Sequence, residues 1–211
     1  MVFFILFLTL SHLFPLFPLP NVVLFPSCYL PLHIFEPRYR EMIAEIDEFD
    51  RHIVLALLKP GWEPHYHQAP DVFSIACLAR VEAQEKMNDG RFNILVQGVD
   101  RVELVDEIRT KPYRQVVVKV VRPAESNAVF DRNRVMELLD DIMDRVPSQA
   151  PEGLKERLAE IHGNGLFADT IAHILQIPPQ EKQEMLETFG VAERLHAVFA
   201  RMMELRRRLD E

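Results

Sequence analysis

Seven glycines, two cysteines and one tryptophan are all that 211 residues contain of these types. Cys28 and Cys77 are too few and too far apart for a disulfide scaffold or a zinc site, which leaves two reduced, semi-buried thiols. No glycines are spaced as Gly-x-x-x-x-Gly-Lys-Ser/Thr, so no phosphate-cradling loop is expected. Positive charge is also short: 24 Lys and Arg face 32 Asp and Glu, a net charge of −8. An acidic chain gains no counterion-release energy on a phosphate backbone, which argues against nucleic-acid binding. The serines lie in no nucleophile-elbow pattern and Cys28 has no local catalytic signature, so no catalytic residue, cofactor or metal is expected. With 48% hydrophobic and 27% charged residues, the chain is otherwise of ordinary globular composition.

Residues 1–10 are apolar but lack preceding basic residues and a following small-x-small cleavage site. Ser11, His12 and Pro15 cut the run short of the ~20 residues a spanning helix needs. We therefore treat residues 1–12 as an extension arising from a start codon placed too far upstream, and expect no stable membrane insertion.

What the chain has in abundance is proline near its start. Pro15, Pro18, Pro20, Pro26, Pro31 and Pro37 punctuate short apolar bursts, which predicts extended, bent chain on sheet edges or corners. Tyr39, Met42, Ile43 and Ile46 share a helical face, so the spacing predicts a helix over 37–49 with Pro37 in its first turn. Strands are expected at 52–58, 74–84, 91–97, 101–108 and 113–121. Asn88-Asp89-Gly90 predicts a hairpin with a primed turn, and Gly98 a bulge or bend. Beyond a polar linker at 124–128 the period becomes helical. Helices are predicted from Val135 to Pro147, around 154–161, from Phe167 to the Pro178-Pro179 stop, over 181–189, and over 192–209. The expected fold class is α+β: a small, highly curved sheet or barrel with one embedded helix (13–123), then a helical subdomain (124–211).

Several motifs in order resemble the N-terminal domain of Lon proteases: the Pro-rich opening, Glu36-Pro37-Arg38-Tyr39, Asp89-Gly90-Arg91, Gln97-Gly98-Val99-Asp100-Arg101 and Lys111-Pro112-Tyr113. Ala168-Asp169-Thr170 and Glu193-Arg194-Leu195 resemble its helical half. The resemblance implies a PUA-like barrel and a cytoplasmic, non-catalytic module that recognises unfolded or partner polypeptides. A separate protease is a candidate partner, because the sequence carries neither the ATPase loop nor a proteolytic domain. RNA binding is the alternative, since PUA-like barrels also serve RNA.

Two residue sets stand out as sites. Trp62 and Tyr66, on a Pro- and Gly-containing loop, are either anchors for a partner chain or caps on the barrel's open end. Within the same loop, His65 and His67 are a weak metal hint read as solvated. Glu36, Arg38, Tyr39, Gly90, Gly98 and Arg101 carry the family motifs, and the charged ones are expected to pair and hold the embedded helix against the barrel. Any bound segment is expected in a groove where barrel and bundle meet, with the acidic rim favouring basic clients.

Overall fold

The computed structural model describes residues 13–122, 131–145 and 153–210. The expected 1–12 extension, the 124–128 linker and the helix stop at Pro147 lie outside them. Strands β1 (Leu13–Leu19), β2 (Tyr29–Ile34), β3 (His52–Leu57), β4 (Ile75–Lys86), β5 (Phe92–Ile108) and β6 (Gln115–Val120) make a mixed six-stranded sheet. Among the described strands, only the β1–β3 pairing is parallel. Helix α1 (Pro37–Ala44) lies between β2 and β3. Helices α2 (Arg132–Arg145), α3 (Leu154–Ala159), α4 (Asn164–Ile174), α5 (Pro179–Glu187) and α6 (Val191–Leu209) follow the sheet.

The strand pairings return on themselves. In order, β1 joins β3, β4, β5 and β6, and β6 joins β1 again, while β2 hangs on β5 alone among the described strands. Strand β5 makes this circuit feasible by its 17-residue length: its first part pairs β2 and β4, and its last part pairs β6. All five strands of the circuit contribute to one small cluster: Leu16, Val54 with Ala56, Ala76 with Leu78, Val102 and Val116. Side chains of the opposite parity, among them Phe17, Leu55, Leu57, Cys77 and Ala79, join the larger core that runs on into the helices.

Strand β1 is flanked by two strands rather than lying at the border of the sheet, yet each of its prolines has only one paired side. Residues Leu13–Pro15 pair with β6, and Leu16–Leu19 pair with β3, so each half of the strand has one neighbour. A missing amide hydrogen is tolerated because each proline is locally an edge residue inside a flanked strand. Pro31 sits in β2, which is an edge strand.

Three further expectations change in detail. The 37–49 helix stops at Ala44, and a 3-10 turn (Ile46–Phe49) follows, ending in left-handed Asp50 and Arg51. The 87–91 hairpin is not a primed turn, because only Gly90 has positive φ (80°). Gly90 N donates to Met87 O (2.9 Å) and Met87 N to Arg91 O (2.8 Å), a three-residue loop whose last position glycine fills. The bulge expected at Gly98 falls on its neighbour: register passes from Asp100 to Gly98 and skips Val99.

Gly98 has another duty. The Pro-rich segment crosses β5 here, with Ser27 N donating to Gly98 O (2.8 Å) and Gly98 N to Cys28 O (2.9 Å). A Cβ on residue 98 would stand 2.2 Å from the Phe25 carbonyl oxygen. Backbone cannot swing aside as a flexible side chain can, so Gly98→Ala should cost about 3 kcal/mol. Urea denaturation checks this, with Gly90→Ala, which meets only the mobile Arg40 guanidinium but must adopt positive φ, expected near ~1 kcal/mol.

Candidate functional site

Two constellations hold the sequence-predicted residues, and they lie apart. The first is buried at the meeting of sheet and helices. Arg101, from β5, is 2% exposed and makes a two-pronged contact with Asp169 of α4, Nη2–Oδ1 at 2.6 Å and Nη1–Oδ2 at 2.9 Å. Its Nε donates to the Leu186 carbonyl of α5 (3.0 Å). Arg194, from α6, is wholly buried, places Nε 2.7 Å from Asp169 Oδ1, and donates Nη1 to the Thr188 carbonyl (2.6 Å). One carboxylate thus faces two guanidiniums; toward Arg194 the tie is a close ion pair, since neither Nε nor Nη2 of that residue makes a well-directed hydrogen bond among the described residues. Burial, opposed by Asp169, presses the Arg194 pKa down.

Arg101 was expected to secure the embedded helix. Instead it grips the C-terminal helices, because Val102 beside it faces the small cluster and leaves Arg101 on the helix side. Asp169 and Arg194 were not singled out as site residues, yet the sequence carries a signal for both. Asp169 interrupts the apolar run from Phe167 to Ala172, and Arg194 falls on the stripe of Leu195, Val198 and Met202.

Weaker ties surround this cluster. Gln183 Nε2 donates to the Ile75 carbonyl (2.8 Å), and the Cys28 thiol lies 3.9 Å from the Asp169 carbonyl. Both cysteines are free and fully buried rather than semi-buried. Burial, reinforced by Asp169, pushes the Cys28 thiol up to about 12, so it is no nucleophile at neutral pH. The His173 ring reaches the Tyr29 carbonyl through Nε2 (3.2 Å), which makes Nε2 the donor and leaves buried Nδ1 without a partner among the described residues.

The second constellation joins the two predicted sets. Tyr66 donates its hydroxyl to Glu36 Oε1 (2.5 Å), and Glu36 Oε2 takes Arg38 Nη2 at 3.0 Å. The Arg38 guanidinium lies over the Tyr39 ring (4.6 Å to its centre) and the Tyr66 ring (5.5 Å). Trp62 meets Tyr66 edge-on at 5.4 Å. Burial and the bond to Glu36 both raise the Tyr66 pKa. A 3-10 turn (Glu63–His65) separates Trp62 from Tyr66, and both are half-buried. The loop is therefore fastened to the first turn of α1 by the motif residues themselves.

Two clefts flank this loop, of about 330 Å³ and 260 Å³, and they share Gln68 and Ala69. Their linings draw only on residues 38–39, 59–71 and 109–114. Among the described residues, these two clefts beside the loop are lined without residues of α2 to α6, whereas the expected groove lay between sheet and helices. Among the described residues, no group of three or more His, Cys, Asp or Glu could hold a metal ion. No helix there is long and apolar enough to cross a membrane. The acidic face of α2 is not simply solvated: Asp141 pairs with Arg206 of α6 (2.5 Å) and Asp140 with Lys155 of α3 (2.7 Å).

A mixed sheet followed by this helical set is the architecture of known N-terminal domains of Lon proteases. The N-terminal domain of the Mycobacterium avium complex Lon protease superposes with a TM-score of 0.69 at 16% identity, covering 90% of this chain and 98% of that one. The Lon N-terminal domain protein from Xanthomonas campestris gives 0.64 at 18% identity, covering 89% and 97%. The sequence makes the assignment firmer: residues 14–204 match the family described as the ATP-dependent protease La (LON) substrate-binding domain, and the chain belongs to that family. Lon protease 2 of Herpetosiphon aurantiacus is 28% identical over 183 residues, which is 86% of this chain and 22% of the relative. The Lon protease of Aquifex aeolicus is also 28% identical, over 94% of this chain and 26% of its own length. The chain thus spans about a quarter of the length of these relatives.

The buried ion cluster yields a stability test. Asp169→Asn leaves two buried guanidiniums without a counter-charge and should cost about 3–5 kcal/mol in chemical denaturation. Arg194→Met should cost clearly less, because the two-pronged Arg101–Asp169 pair stays balanced.

A second test concerns pH. Burial, aided by the Lys182 charge, holds the His173 pKa below its ordinary value of 6.5. The unfolded chain therefore binds a proton more readily than the folded one, and stability falls as pH drops through 6.5. The loss in unfolding free energy between about pH 7.5 and pH 5.5 should shrink in His173→Gln.

Proposed function

We propose that this chain is a non-catalytic module that recognises unfolded or partner polypeptides, with the Trp62–Tyr66 loop as a contact surface. The observation that carries this reading is its membership, over residues 14–204, of a substrate-binding domain family. The closed circuit of pairings supports reading residues 13–123 as a PUA-like barrel, with residues 124–211 as the appended helical subdomain. In this reading the module works in the cytoplasm, and a separate protease is its candidate partner.

The geometry suits such a task. Trp62 and Tyr66 keep part of their rings in solvent while Glu36 and Arg38 hold them in one arrangement. A pre-positioned aromatic pair loses little side-chain freedom when an apolar segment covers it. Apolar contact at ~25 cal/mol per Å² gives useful but modest affinity, since association entropy offsets much of the gain.

Fluorescence anisotropy with a labelled, permanently unfolded model protein tests this. The wild-type chain should bind, and Trp62→Ala should weaken binding about tenfold. Tyr66→Phe, which loses only the bond to Glu36, should have a smaller effect. Absence of binding to unfolded polypeptide overturns the proposal.

A further inference from the structure

The smaller cleft beside the aromatic loop is cationic, in a chain whose net charge is −8. Its charged lining groups are Arg38, Arg109, Lys111 and Arg114, set around the rings of Tyr39 and Tyr113, and no carboxylate lines it. The compensating acids sit outside the lining. Glu107 serves both Arg114 (2.6 Å) and Arg109 (2.8 Å), while Glu45 and Glu48 hold Lys111 at 2.7 and 3.2 Å. Burial of Glu107 works against its charged form, but Arg114 and Arg109 outweigh it and keep the carboxyl below its usual range. Glu107 thus stays ionised and fixes Arg109 and Arg114 in place.

Arg114 is fully engaged, since its third nitrogen donates to the Pro70 carbonyl (2.8 Å). Arg109 is not. It meets Glu107 through Nε alone, its side chain is 62% exposed, and its two terminal nitrogens have no protein partner among the described residues. A rigid cationic wall with one spare guanidinium fork is suited to a carboxylate, which the fork can bind through two hydrogen bonds. At about 260 Å³ the cleft is of side-chain size. It shares the lining residues Gln68 and Ala69 with the cleft that Trp62 borders.

We infer that this cleft docks an acidic polypeptide segment, an Asp or Glu side chain entering between Arg109 and Arg114 while a neighbouring apolar residue lies along Trp62. The inference rests on the polypeptide-recognition reading and narrows it to segments of negative charge, the opposite of what the net charge of the chain suggests.

The test is anisotropy of a labelled dodecapeptide in which Glu alternates with apolar residues, against the same peptide with Lys for Glu. The Glu peptide should bind and lose affinity as salt rises, the Lys peptide should not, and Arg109→Glu should weaken binding at least about fivefold. Because Arg109 is exposed, circular dichroism of Arg109→Glu should match wild type, and Arg109→Gln should give an intermediate loss. Equal binding of both peptides, or no effect of either Arg109 variant, overturns the inference. Binding of the unfolded model protein but not of the Glu peptide overturns it while leaving the broader proposal standing. Binding of neither removes both. Displacement of the peptide by RNA or inorganic phosphate at equal affinity would make the cleft a general anion site and overturn the inference likewise.

Discussion

The joint between sheet and helices depends on a buried carboxylate shared by two guanidiniums. Arg101 brings one strand of the circuit, Asp169 brings α4, Arg194 brings α6, and the carbonyls of Leu186 and Thr188 tie in the chain of α5 and the turn after it. Apolar packing between the halves is extensive but has no direction. Paired, two-pronged hydrogen bonds have direction, and they admit only one seating of the helices on β5. The residual positive charge is the unfavourable side of this arrangement, since a hydrophobic substitute could pack there without desolvating an ion.

At the other end of the sheet the same vocabulary of ion pairs does a surface task. Glu36, Arg38 and Tyr66 fasten a loop to a helix start, and a row of acids behind 107–114 holds lysine and arginine side chains toward a cleft. The global charge of the chain is thus a poor guide to the local field. Eight excess negative charges coexist with a cleft whose charged lining is wholly positive. What a docking segment meets is set by which partner of each pair faces inward.

Much of the architecture was legible in the sequence. Alternation in 92–97 put Phe92, Ile94 and Val96 inside, and the helical spacings found α2 to α6 to within a few residues. The legible features share one property: each is local, within a turn or a strand. That β1 is flanked on both sides is not legible, because it exchanges one neighbour for another at Leu16, which depends on two strands far along the chain. The primed turn was wrongly inferred because Asp-Gly is compatible with two loop lengths, and the cross-strand register chooses between them. As for the sites, motif residues were recognised but not sorted. Arg101 and Glu36 look alike in sequence, yet one is 2% exposed among helices and the other binds a loop tyrosine. The cationic cleft escaped because its residues come from α1, the 59–71 loop and the β5–β6 connection.

Among the described residues, strand β2 ends the sheet on one side, with Pro31 at its middle. A regular open border of amide donors invites other extended chains to add on indefinitely, the first step toward fibrous aggregates. Removing one donor from the centre of that border breaks the row into pieces too short to template a new strand. For a protein whose proposed work brings it into contact with unfolded chains, a proline at this border works against such strand addition.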